Sequence, residues 1–151
     1  MSLLIAILFW SMSLAACLYA LTLGGWEGRW TTVVILLASV ATMTMNRWLS
    51  YYYHEAYWAT TNDMVFAIDL ITFLAMYAIA GLSERWWPVW VAAFQLNSVI
   101  GHLATLISPE FSALVYQGYE GLWAIPGQLV MVFGIYRDRK SNKWKRRYDL
   151  A

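Results

Sequence analysis

The chain has 151 residues, 61% of them hydrophobic and only 13% charged, with a formal net charge of +1. Soluble domains carry about 25% charged residues, so this composition cannot coat a water-facing surface and excludes an ordinary soluble domain. With a single cysteine, Cys17, an intramolecular disulfide and a cysteine-based metal site are excluded too. What remains is an all-α membrane protein, and a chain of this length has room for four or five spans of about 20 residues.

The first segment is predicted over residues 3–23. It ends at Gly24-Gly25, residues suited to stopping a helix. Within it, Leu14-Ala15-Ala16-Cys17 has the outline of a lipoprotein cleavage box. The stretch before it lacks the Lys or Arg of a signal peptide, so it is expected to remain as a span. A short loop, 24–30, is expected next. The second segment, 31–46, is the shortest. The following residues, 47–63, are too polar to span and too aromatic for a plain linker. Trp48, Leu49, Tyr52, Tyr53, Ala56 and Tyr57 share one helical face, which predicts an amphipathic helix lying at the interface. Trp58 adds to that belt.

The third segment is predicted over 64–82. A tight link through Trp86 and Trp87 leads to Pro88, where a missing N–H costs nothing at a helix start. The fourth segment, 88–108, is mostly apolar but carries Gln95, Ser98, His102 and Thr105 on one face. Hydrocarbon satisfies no hydrogen bonds, so this stripe must face protein or water. The fifth segment, 112–136, contains Pro126-Gly127, which predicts a kink. A basic tail, 137–151, closes the chain.

Lys and Arg set orientation by favouring the cytoplasmic side. Five spans with the tail inside put Arg29, Arg85 and the bases from Arg137 to Arg147 in the cytoplasm, and leave Arg47 outside. The N-terminus is then outside. Removing the first segment would send the basic tail outward, against the charge rule. Trp48, Tyr52, Tyr53 and Trp58 are expected at the outer interface. Trp86, Trp87 and Trp90 are expected at the inner one, as anchors or as contacts to a partner.

Depth follows from about 1.5 Å of rise per residue. Measured from the cytoplasmic side, Asp69, His102 and Glu120 fall at about 20–24 Å in a core of about 30 Å, with Gln117 just beyond. Gln95 and Gln128 fall at about 10–12 Å. Two polar layers are therefore expected, an outer one with both carboxylates and an inner one with the two glutamines. An intramembrane ionisable group is by default a candidate site. Asp69, His102 and Glu120 suit a proton relay, a metal or a polar headgroup. They suit equally an interhelical hydrogen-bond network that only fixes helix pairing. A haem held by His54 and His102 is disfavoured, since His54 belongs to the surface segment and His102 to the interior. No cofactor is expected on these grounds. The basic tail reads as a topology signal and a contact for anionic lipid rather than for nucleic acid.

No GxSxG, HExxH, P-loop or strand-borne GxGxxG occurs, which points away from the familiar enzymes. The expectation is a non-enzymatic membrane protein that assembles with itself or a larger complex. The alternative is a cofactor-, metal- or proton-binding protein built on Asp69, His102 and Glu120.

One stretch carries a resemblance. Asp69, then Arg85-Trp86-Trp87-Pro88-Val89-Trp90-Val91-Ala92, Gln95-Leu96, His102, Trp123, Pro126 and the bases after Arg137 resemble an uncharacterised family of small multi-pass proteins of the bacterial inner membrane. That family usually has Phe or Tyr where Trp86 stands. The resemblance covers about half the chain. It implies an inner-membrane bundle and brings no reaction with it.

Overall fold

The computed structural model describes the backbone of residues 3–53, 63–107 and 113–148, and the side chains within 7–48, 63–104 and 123–141 together with Tyr51. Five helices occur and, among the described residues, no strand. They are α1 (Leu3–Leu23), α2 (Gly25–Tyr53), α3 (Asp63–Leu82), α4 (Trp87–Ile107) and α5 (Ala113–Tyr148). Each helix packs against its neighbour in sequence, and α1 also packs against α5. The five helices thus close into a ring, in chain order.

Three boundaries differ from the sequence reading. The loop expected over 24–30 is not a loop, because α2 starts at Gly25. Gly25 takes φ +68°, a left-handed conformation open to glycine without a Cβ penalty. A Cβ on Gly24 would lie 2.5 Å from the Ala20 carbonyl oxygen, and one on Gly28 would lie 2.7 Å from it. Glycines here allow α1 and α2 to reverse within a single turn. The polar residues Glu27 and Arg29, which suggest a loop by composition, sit in the first turns of α2. An acid at that end is favoured by the helix dipole.

At its other end α2 runs unbroken through residues 47–53, so the expected interfacial helix begins as a continuation of α2. His54 and Trp58 lie outside the described residues. The third difference is at the C-terminus. The basic tail is helical as far as Tyr148 and extends α5 to 36 residues, about 54 Å at helical rise. Pro126 lies inside α5 without interrupting it.

The interior divides into two halves. At the end where α1 meets α2 and α3 meets α4, the ring is filled. Ala16, Ala20, Met76, Ala80, Trp87, Val91, Ala92, Met131 and Ile135 form a continuous core there. Trp87 is its largest side chain and is 0% exposed. It lies directly on Gly134 of α5, where an added Cβ would fall 2.4 Å from Trp87 Cβ. Trp87 is therefore an interior residue, and its expected place at the interface with partners is corrected. Indole on glycine brings α4 and α5 close enough to seal this half.

The same end carries a charged cap. Arg85, in the link between α3 and α4, places Nε 3.0 Å from Glu27 Oε1 of α2 and its terminal nitrogen 3.0 Å from Asp138 Oδ2 of α5. Ser83 Oγ donates to Glu27 Oε1 at 3.2 Å and accepts the Arg85 backbone N–H at 3.0 Å. Nearby, the Arg137 guanidinium lies 5.8 Å from the Trp86 ring centroid.

Large apolar side chains cover the outside of the ring. Leu14 and Leu18 of α1, Leu37 and Val40 of α2, Ile71 and Leu74 of α3, Val89 of α4 and Leu129 and Phe133 of α5 are all exposed. Among the described residues, Gly25–Trp48 and Asp63–Leu82 are long and apolar enough to cross a membrane.

Candidate ligand cavity inside the helix ring

Among the described residues, the other half of the ring is not filled. It holds a cavity of about 560 Å³ to which all five helices contribute. Ser13 of α1, Ser39, Thr42 and Asn46 of α2, Asp69 and Thr72 of α3, Gln95 and Ser98 of α4, and Gln128 of α5 line it with polar groups. Phe9, Trp10, Phe94 and Trp123 supply aromatic walls. Phe94 and Trp123 stack with ring centroids 6.1 Å apart and planes 25° apart. Pockets of roughly 300–1,000 Å³ with apolar walls and a few convergent polar groups are the usual form of small-ligand sites.

Among the described residues, Asp69 is the one charged side chain of this lining. It stands two turns into α3, facing the polar stripe of α4. Its Oδ2 accepts from His102 Nε2 at 2.9 Å, and its Oδ1 accepts from Gln95 Nε2 at 3.3 Å. Gln95 and His102 are seven residues apart on one helix. That spacing is two turns, so both reach the same side. His102 is fully buried behind the carboxylate, with the Phe66 ring 5.7 Å from its own, edge to face. The imidazole thus fixes the carboxylate from behind and leaves it turned to the cavity.

Gln128 is also buried. Its Nε2 donates to Ser13 Oγ at 2.8 Å, tying α5 to α1 where the ring closes. Its Oε1 has no hydrogen-bond partner among the described residues. A buried acceptor left unmade costs about 1–3 kcal/mol.

The structure brings Asp69, Gln95 and His102 together and adds Gln128 to the same cavity. Gln95 and Gln128, expected in one inner layer, both line the cavity; Gln95 bonds to Asp69 and Gln128 to Ser13. Gln117 and Glu120 lie on α5, but their side chains are outside the described residues, as are those of Tyr52 and Tyr53. Trp48, Trp86 and Trp90 are exposed.

Sequence reasoning missed Ser13 and the α2 wall. Ser39, Thr42 and Asn46 follow one another at three and four residues. That is the spacing of a single helical face, and it marks a second polar stripe opposite that of α4. Comparison with protein-family models, with curated proteins and with solved structures gives no match.

Proposed function

We propose that this chain is a multi-pass membrane protein of five spans whose helix ring holds a small molecule in a cavity inside the bilayer. The membrane part of the reading is supported by how little of the apolar helices is covered. Only 17% of the α2 window and 22% of the α3 window are buried, whereas the apolar core helix of a soluble protein is mostly buried. A bare ring of Leu, Ile and Val would associate or precipitate in water; in lipid it is solvated. Arg85 and the basic extension of α5 lie at one end of the ring and Arg47 at the other, the asymmetry expected of a cytoplasmic and an outer side. The resemblance to small inner-membrane proteins points the same way.

The observation that carries the ligand-binding part is the cavity with Asp69 held in its wall by His102 and Gln95. Polar residues that served only to set helix pairing would be satisfied more fully by a filled interior, since protein cores are close-packed. No bond-breaking step is assigned, and the role is binding.

Two measurements test the reading. Expressed in bacteria, the chain is expected to stay in the membrane fraction through an alkaline wash. A reporter that fluoresces only in the cytoplasm is expected to be bright when fused after Ala151. Release by the wash, or a dark fusion of normal abundance, would count against five spans. Separately, native mass spectrometry from mild detergent is expected to show a small bound mass on the wild-type chain. That mass should be lost in Ala124→Phe, which fills the cavity wall, at unchanged helicity. Identical bare spectra for both proteins would remove the support for a ligand site.

A further inference from the structure

We infer that the cavity selects a protonated amine with an apolar body; this rests on the cavity being a ligand site. Two features of the lining lead to it.

The first is charge. Asp69 is 19% exposed in its side chain and faces a space whose other walls are neutral among the described residues. The His102 imidazole meets one of its oxygens from behind at 2.9 Å, and on the cavity side no positive group meets it among the described residues. Each of its oxygens accepts one hydrogen bond from the protein. A carboxylate offers about four acceptor sites, so capacity remains on the cavity side. Among the described residues no Lys or Arg lines the wall to meet an anion.

The second is the aromatic wall. The rings of Phe94 and Trp123 offer a face that attracts a cation lying within about 6 Å. The same rings favour an apolar body. An ammonium group carries several N–H bonds and can give one to Asp69, whose side chain lines the cavity.

A bare metal ion fits poorly. Calcium takes six to eight oxygen ligands at 2.3–2.6 Å, whereas no cluster of three acidic, His or Cys side chains occurs among the described residues. A cavity of about 560 Å³ is also far larger than an ion.

The test compares three probes that differ only in their head group, phenylbutylamine, phenylbutanol and phenylbutyrate. Binding to the full-length chain in mild detergent is followed by calorimetry at neutral pH, where the amine is charged. The amine is expected to bind on the order of 30-fold more tightly than the alcohol, the ratio for a charge-assisted hydrogen bond. The carboxylate is expected not to bind. Asp69→Asn should bring the amine down to the level of the alcohol. Because that variant can also lose stability, Phe94→Leu is measured beside it and should weaken the amine about threefold more than it weakens the alcohol, the worth of one cation–π contact. Equal binding of amine and alcohol, both abolished by Ala124→Phe, overturns the cation preference and leaves the ligand site standing. Tighter binding of the carboxylate does the same. Binding of none of the three overturns both.

Discussion

Arg85→Ala is expected to lower stability by about 3 kcal/mol or more, the cost of stripping a buried carboxylate of its partner. The guanidinium joins three parts of the ring: the first turn of α2, the link between α3 and α4, and the basic extension of α5. Its two arms are not equal. Exposed ion pairs are worth about 0.2–1 kcal/mol, and Asp138, with 21% of its side chain exposed, is near that regime. Glu27 is only 5% exposed, and its Oε2 has no hydrogen-bond partner among the described residues. Beside the Ser83 hydroxyl, Arg85 is the group that offsets its burial. Asp138→Ala is therefore expected to cost no more than about 1 kcal/mol. Glu27→Gln introduced into the Arg85→Ala background should recover most of the loss, since it removes the stranded charge. Denaturant titration in mixed micelles measures all three. Equal losses for Arg85→Ala and Asp138→Ala, with no rescue by Glu27→Gln, would mean that the Glu27 contact contributes little.

The helices themselves were largely legible. The apolar stretches around 64–82 and 88–108, bounded by Asn, Pro and charged residues, announce α3 and α4 to within about a residue, less than the usual spread of helix ends. Errors arose where hydropathy and helix propensity disagree. Hydropathy ends the fifth segment at Tyr136. Yet the following RDRKSNKWKRRY has no Gly or Pro and is rich in Lys and Arg, which are good helix formers, so α5 continues. Glu27 and Arg29 look like loop residues until Arg85 and Ser83, more than fifty positions away, are seen to enclose Glu27. Trp87 illustrates the limit of composition. A tryptophan beside a span suggests an interfacial anchor, and only the glycine facing it across the ring, Gly134, makes it a core residue. For the site, the polar face of α4 was visible by its spacing. Depth placed Gln95 and Gln128 at one level, and both line the cavity, but rise along an axis carries no information about which way a helix is turned, so their partners Asp69 and Ser13 were not legible. The cavity was not legible, since an unfilled interior follows from the geometry of five helices together.

His102→Ala is expected to be similarly damaging, and the size of the loss reports the charge state of its partner. Interhelical hydrogen bonds between neutral groups in bilayers average about 0.6 kcal/mol. Removing one member of a buried charged pair costs about 3–5 kcal/mol. The imidazole is wholly buried, so its deletion also leaves a void, which adds to either figure. A double-mutant cycle separates the terms. Asp69→Asn in the His102→Ala background removes the charge but not the void. With Asp69 ionised, that second change should restore about 2 kcal/mol or more, and the pair should couple by up to about 3 kcal/mol. His102→Gln, which keeps an N–H on α4 pointed at Asp69, should retain part of the stability that alanine loses. Additivity of the two single changes to within about 0.5 kcal/mol would show instead that the residues meet as neutral neighbours. The cavity would then present no charge, and its expected preference for an amine would lose its physical cause. The cycle and the probe series therefore address the same carboxylate by independent means, one through folding and one through binding.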